Sequence, residues 1–176
     1  MEKIRIEKGT VQETLLLPLY GRKWAMDMYP ENFMDKDCQK LFEKVEMEVP
    51  DTMRGVKGRV GAIMAATRQY DMASACRAYL EEHPRACVVN LGCGLDTTFR
   101  QVDNGQARGY NLDFPDTIEV REQLLGKRER EFNIPCNLND ITWFEQIDFH
   151  PEDGIVFFAS GVFYYFKIVE VQKLFT

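Results

Sequence analysis

Apolar residues in this chain follow two patterns. Up to about residue 84 they recur at three- and four-residue steps, as on the faces of helices. From residue 86 they come in short solid runs, as in strands buried on both faces, and helical patterns separate the runs. In the first part, residues 14–20 are apolar, with Pro18 expected to interrupt any helix there. Residues 35–45 put Cys38, Leu41, Phe42 and Val45 on one face. Pro50 and Gly55 mark a break over 49–57. A long helix follows over 58–82, repeating Ile63, Ala66, Tyr70, Ala73, Cys76 and Leu80, and His83-Pro84 closes it. Residues 11–48 thus read as a helical arm.

In the second part, strands are predicted over 86–91, 107–112, 133–138 and 154–160. Helices are predicted from Thr97, over 117–125 and from near Lys167. Strands alternating with helices imply right-handed crossovers and a parallel sheet, so the fold class is α/β. The chain divides into an arm or lid over 1–57 and a nucleotide-binding type of domain over 58–176. There are no repeats and no long linker.

Composition narrows the options. A chain of 176 residues can bury a proper core. Its net charge of −6 speaks against nucleic acid as a partner. No apolar run reaches the length of a membrane span, and the alternating charged and apolar residues of the N-terminus lack a signal-peptide core. No membrane partner is expected, and a cytoplasmic location is the default. The five cysteines, Cys38, Cys76, Cys87, Cys93 and Cys136, are odd in number and form no Cys-x-x-Cys pair. Neither a disulfide framework nor a metal site is expected, and most should be small buried residues.

The chemistry concentrates where the strand over 86–91 ends in Gly92-Cys93-Gly94, with Asp96 as a helix cap. Strand, glycine turn, helix is the opening unit of a nucleotide-binding fold. Glycines let the backbone turn sharply and leave no Cβ between it and a ligand. Asp113 lies 19 residues after Gly94, at the end of the next strand, where a carboxylate can accept hydrogen bonds from both hydroxyls of a ribose. A dinucleotide fingerprint would need a third glycine at Thr97. Its absence argues for a ligand with a ribose but no diphosphate, which S-adenosylmethionine fits.

The run Asn90-Leu-Gly-Cys-Gly-Leu-Asp-Thr-Thr-Phe-Arg100, followed by Asn111-Leu-Asp-Phe-Pro-Asp116, resembles the leucine carboxyl methyltransferase family. That family includes the tetracenomycin-type O-methyltransferases. The resemblance extends from about Thr14 to the end. It implies a Rossmann-like class I methyltransferase sheet, here its N-terminal portion with parallel strands in the order 3-2-1-4 and an N-terminal helical arm. It further implies S-adenosylmethionine as cofactor, S-adenosylhomocysteine as product, and a small-molecule or peptide acceptor.

The resemblance also assigns residues. Gly92, Cys93, Gly94 and Asp113 form the cofactor turn. Arg68 matches an arginine that binds the cofactor's methionine carboxylate, a task suited to a guanidinium fork; a solvated helix arginine is the alternative. Asn137-Leu138 resembles the Asp-Leu pair beside the adenine, with an amide in place of the acid. Ser160-Gly161 matches the loop after the fourth strand, where the family usually carries Glu before the glycine. Tyr20 and Arg22, in Pro18-Leu-Tyr-Gly-Arg22-Lys23, resemble a lid segment, against a basic surface pair. Tyr165 matches a family tyrosine, for which packing is the preferred reading, as core is for the aromatic run 157–166.

Ligands of open parallel sheets bind at the carboxyl ends of the strands. His83 and His150 precede strands and belong at the opposite edge. Lacking a histidine base, the chain leans toward a carboxylate acceptor, already ionised at neutral pH, over a hydroxyl. No catalytic residue is assigned. A truncated cofactor-binding remnant without catalysis is the runner-up, because the family's sheet has three further strands, and a nicotinamide oxidoreductase is the third reading. If the chain truly ends at Thr176, the fourth strand becomes an edge that bares Phe157 and Phe158, and self-association through it is expected.

Overall fold

The computed structural model describes residues 4–5, 13–46 and 55–174. The chain forms two compact units, Met1–Met72 with Leu95–Gln101 and Ala73–Gly94 with Val102–Thr176. In the first, β1 (Ile4–Arg5) pairs in parallel with β2 (Val45–Glu46), and α1 (Glu13–Met28) and α2 (Lys36–Lys44) lie between them in sequence. A long helix, α3 (Gly55–Glu82), begins here and runs on into the residues of the second unit.

The interruption expected at Pro18 does not occur. Proline withholds only its own N–H, here the partner of the carbonyl four residues earlier, in a turn next to the helix start. Buried Leu16, Leu19, Ala25 and Met26 stabilise the continuous helix more than one lost bond weakens it. Asp35 caps α2, its side chain accepting from the Asp37 and Cys38 backbone N–H groups. Gly21 allows α1 to approach α3 closely: a Cβ there would stand 3.1 Å from the Ala62 Cα. Of the break expected over 49–57, residues 55–57 are already helical, and 49–54 lie outside the described residues.

The second unit holds a four-stranded parallel sheet of β3 (Cys87–Leu91), β4 (Arg108–Asp113), β5 (Glu131–Pro135) and β6 (Ile155–Ala159). Its order is β5-β4-β3-β6, the expected 3-2-1-4 arrangement of the four sheet strands. Helices α5 (Pro115–Leu125) and α6 (Ile168–Leu174) belong to this unit, whereas α4 (Thr98–Val102), which follows β3 in sequence, lies in the first unit up to Gln101. One sheet face carries Cys87, Val89, Leu91, Tyr110, Leu112 and Ile134 in a core shared with Leu138, Trp143 and Ile147. Four cysteines are buried and all five are free.

Two differences from the sequence reading have clear causes. The strand expected over 133–138 ends at Pro135 and begins earlier, at Glu131. A buried carboxylate opens it, so the apolar pattern starts too late. The aromatic run is only partly core. Phe163 and Phe166 pack on the sheet and Phe158 is buried, but Tyr164 and Tyr165 are 88% and 78% exposed and Phe157 is 40% exposed. The chain over Phe163–Tyr165 is a tight 3₁₀ turn, in which residues three apart share a face. Phe163 and Phe166 therefore point inward together, and Tyr165 does not pack with them.

Gly92, at the end of β3, has φ +65°. A Cβ there would overlap the Val162 side chain, which follows β6. The space that this glycine leaves open on that side is taken by Val162. Gly92→Ala should destabilise the fold by about 2–4 kcal/mol, from left-handed strain and overpacking together. Removing Val162 to alanine in the same chain relieves the overlap. In urea denaturation the double variant should be more stable than the sum of the single losses by about 1 kcal/mol or more. Strict additivity would contradict the contact.

Candidate functional site

The carboxyl ends of β3 and β4 meet at one carboxylate. The Cys93 N–H donates to the Leu112 carbonyl at 2.9 Å, two residues past the end of β3. Gly94 then turns with φ +47°, and its N–H donates to Asp113 Oδ2 at 2.8 Å. The Phe114 N–H donates to Asp113 Oδ1 at 2.8 Å. Burial pushes the Asp113 carboxyl above its ordinary range, while the N–H groups of Gly94 and Phe114 and the charge of Arg121 pull it back and Asp116 adds to the rise. Cys136, whose N–H donates to the Asp113 carbonyl, has its thiol pushed up to about 11 by burial and then by the charges of Asp113 and Asp140.

Behind this turn lies a group that the sequence reading missed. Arg121 is buried on α5 and donates from Nη1 to the Gly94 carbonyl at 2.9 Å. It also donates from Nη2 to Glu131 Oε1 at 2.9 Å and from Nε to Asn133 Oδ1 at 3.2 Å. Asn111 donates to the same Glu131 oxygen at 3.0 Å. The buried face of α5 is Thr117, Ile118, Arg121 and Leu124. An arginine at three-residue spacing between Ile118 and Leu124 was the available signal, since charges enter a core only when paired.

Asn137 is exposed just beyond β5, its Oδ1 accepting from the Asn139 N–H at 3.0 Å. Leu138 is buried and its carbonyl accepts from the Trp143 indole at 3.3 Å. Ser160 and Gly161 are half-buried after β6, Gly161 with φ +80°. The histidines lie away from this end. His83 stacks on Tyr79, and both occupy the space a Cβ on Gly154 would need, at the amino end of β6. His150 is exposed, 3.4 Å from Asp148.

In the first unit, Arg22 is not the surface residue that a basic pair would supply: it is 4% exposed. Its fork donates to Thr97 Oγ1 at 3.1 Å and to the Leu95 carbonyl at 3.0 Å, beside Asp35 at 3.5 Å. The Thr97 hydroxyl donates to Asp35 Oδ2, and Gln69 and Gln101 donate into the same cluster. Thr97, standing where a dinucleotide motif needs its third glycine, is a buried hub that ties α1, α2 and α3 to 95–101. Neighbouring Lys23 is the more exposed member of the pair, bound to Asp27, and Tyr20 packs near Phe42. Arg68 is half-buried, and its Nε is a buried donor without a partner among the described residues.

Asp35 caps a helix and also balances buried Arg22. Asp35→Ala should lose about 3–5 kcal/mol, because it strands a buried charge as well as removing a cap. Asp35→Asn keeps a capping oxygen and should lose clearly less. Chemical denaturation of both variants tests this, and equal losses would contradict the double role.

Among the described residues, no three His, Cys, Asp or Glu side chains are grouped to hold a metal ion. No described helix is long and apolar enough to cross a membrane. The chain is similar to the tetracenomycin polyketide synthesis O-methyltransferase TcmP of Streptomyces glaucescens, 26% identical over 140 residues. That match covers 78% of this chain and 50% of the relative, so the chain spans about half the length of the curated relative it matches. The family model of leucine carboxyl methyltransferase matches residues 10–176. With that match covering nearly all of its length, and with a parallel sheet that carries the glycine turn and Asp113 at its carboxyl end, the chain belongs to the leucine carboxyl methyltransferase family.

Proposed function

We propose that this chain binds S-adenosylmethionine and serves O-methyl transfer to a carboxylate or hydroxyl of a small molecule or peptide. The observation that carries this is the Asp113 carboxylate. Each of its oxygens accepts one backbone N–H. A carboxylate oxygen has two lone pairs, so each keeps an acceptor direction suited to a ribose hydroxyl. Thr97, in place of the third glycine of a dinucleotide motif, is a buried residue bonded to Arg22, Asp35 and Gln69, which fits a chain without that motif.

The bound cofactor would supply an electrophilic methyl group, and the protein supplies orientation and charge. Asp113 orients the ribose. Cys93 and Gly94 line the turn beside it. Leu138 offers an apolar contact and Asn137 an amide for the adenine, with Ser160 and Gly161 at the neighbouring strand end. Arg68 is assigned to the methionine carboxylate, consistent with its unpartnered Nε. Arg22 is committed to its own cluster, so we assign it to holding the arm that carries Tyr20, and leave Tyr165, exposed, for the acceptor. Cofactor binding without turnover is the second reading, since no described side chain is assigned as a catalytic base. A methyl-transfer assay on a chain that binds the cofactor separates the two.

Calorimetry should register S-adenosylhomocysteine binding in preference to NAD. Tight NAD binding without response to the adenosyl ligand would contradict the proposal. Asp113→Ala removes charge-assisted hydrogen bonds of about 1.5–3 kcal/mol each and should weaken binding at least about tenfold without unfolding the chain. Arg68→Ala should act in the same direction.

The pH dependence has a definite sign. Asp113 has a raised pKa in the folded chain, so it contributes stability that is full at low pH and is lost as pH rises through the folded value. Ribose hydroxyls donate to the ionised form and relieve that penalty. Affinity should hold at neutral pH and fall as pH drops through the raised Asp113 pKa, above the ordinary 3.8. Affinity that stays flat down to the ordinary carboxylate range would contradict the role of Asp113.

A further inference from the structure

We infer that Arg121, held by Glu131, is a positioning residue that aims the Asp113 carboxylate at the ribose by fixing the Gly94 backbone. The inference rests on the proposed reading of Asp113 as the ribose acceptor. Gly94 has a left-handed φ and no side chain, so its own torsions do not choose one direction for its N–H and C=O. Two partners choose for it. Asp113 accepts from its N–H at 2.8 Å and Arg121 donates to its C=O at 2.9 Å. The two peptide planes that flank Gly94 are thus pinned from opposite sides, one by the proposed ligand-binding carboxylate and one by a guanidinium.

The guanidinium is itself immobile. Its side chain is 1% exposed and that of Glu131 is 3% exposed. Arg121 meets Glu131 Oε1, Asn133 Oδ1 and the Gly94 carbonyl with three separate nitrogens, a planar arrangement that lysine cannot reproduce. Glu131 is held in turn by Asn111 on β4, two residues before Asp113. The chain of contacts therefore leaves β4, crosses to β5, returns through α5 to the glycine turn, and closes on β4 at Asp113. Arg121 has no need to touch the ligand to act. Its influence passes through one backbone carbonyl.

The test reads how strongly the protein distinguishes S-adenosylhomocysteine from its 2′-deoxyribose counterpart, by calorimetry on the full chain. This ratio depends on where Asp113 points, and a general loss of stability does not alter it in a chain that remains folded. The parent should prefer the ribose form about tenfold, the effect of one charge-assisted hydrogen bond. Arg121→Lys keeps a positive charge beside Glu131 but loses the fork, and its preference should fall below about threefold, with the thermal transition still cooperative. If Arg121→Lys does not fold, the double variant Arg121→Met with Glu131→Gln removes both buried charges together and should show the same collapse. A parent that discriminates, with variants that discriminate equally well, overturns the role of Arg121 alone. A parent that binds both forms equally, or neither, overturns the reading of Asp113 and the role of Arg121 with it.

Discussion

The second unit depends on how one glycine is held. Gly94 has the least backbone restraint of any residue type, yet it sits where β3, β4 and α5 converge, and each of its polar backbone groups is bound to a charged side chain. One of these charges is buried and the other partly so. The Arg121–Glu131 pair is offset by a full set of hydrogen bonds, as a buried pair must be to persist. Asp113 is left bearing a burial penalty that two backbone N–H groups reduce but do not cancel. A carboxylate in that condition is ready for further donors. That readiness links the packing of the sheet to the proposed binding of a ribose.

A similar logic holds in the first unit, with a different centre. Asp35 is shared between the end of a helix and the Arg22–Thr97 cluster, so the arm is tied to residues 95–101 by polar contacts in a dry setting. Low dielectric strengthens such contacts and raises the cost of breaking any one of them. The residue at the third-glycine position is therefore not a relaxed version of a dinucleotide motif. It performs a different structural task, and that task excludes the glycine.

Much of this could be read from the chain. Solid apolar runs placed β3, β4 and β6 to within a residue or two, and Gly92-x-Gly94 with Asp113 located the strand ends that matter. What escaped was mostly buried polarity. Glu131 opens β5, so an apolar pattern placed that strand too late. Arg121 sits on the inward face of α5, but an arginine in a helix reads as solvent-facing until its partner is known. Arg22 and Asp35 are thirteen residues apart and Arg22 and Thr97 seventy-five apart, separations at which pattern says nothing about contact. The 3₁₀ turn after β6 turns Phe163 and Phe166 inward and leaves Tyr165 exposed, which an unbroken aromatic run does not reveal. Pro18 was misread because tertiary burial outweighed a local breaker. The family's motif run was legible throughout, because its residues are contiguous.

On the proposed reading, the Asp113–Gly94 junction is where the adenosyl ligand is held. An amide-resolved NMR titration of the chain with S-adenosylhomocysteine tests it most directly. The Gly94 and Phe114 amides, both bonded to the Asp113 carboxylate, should shift among the most strongly and saturate together with the bound fraction. Saturable binding that leaves these two amides unmoved while others shift would contradict it.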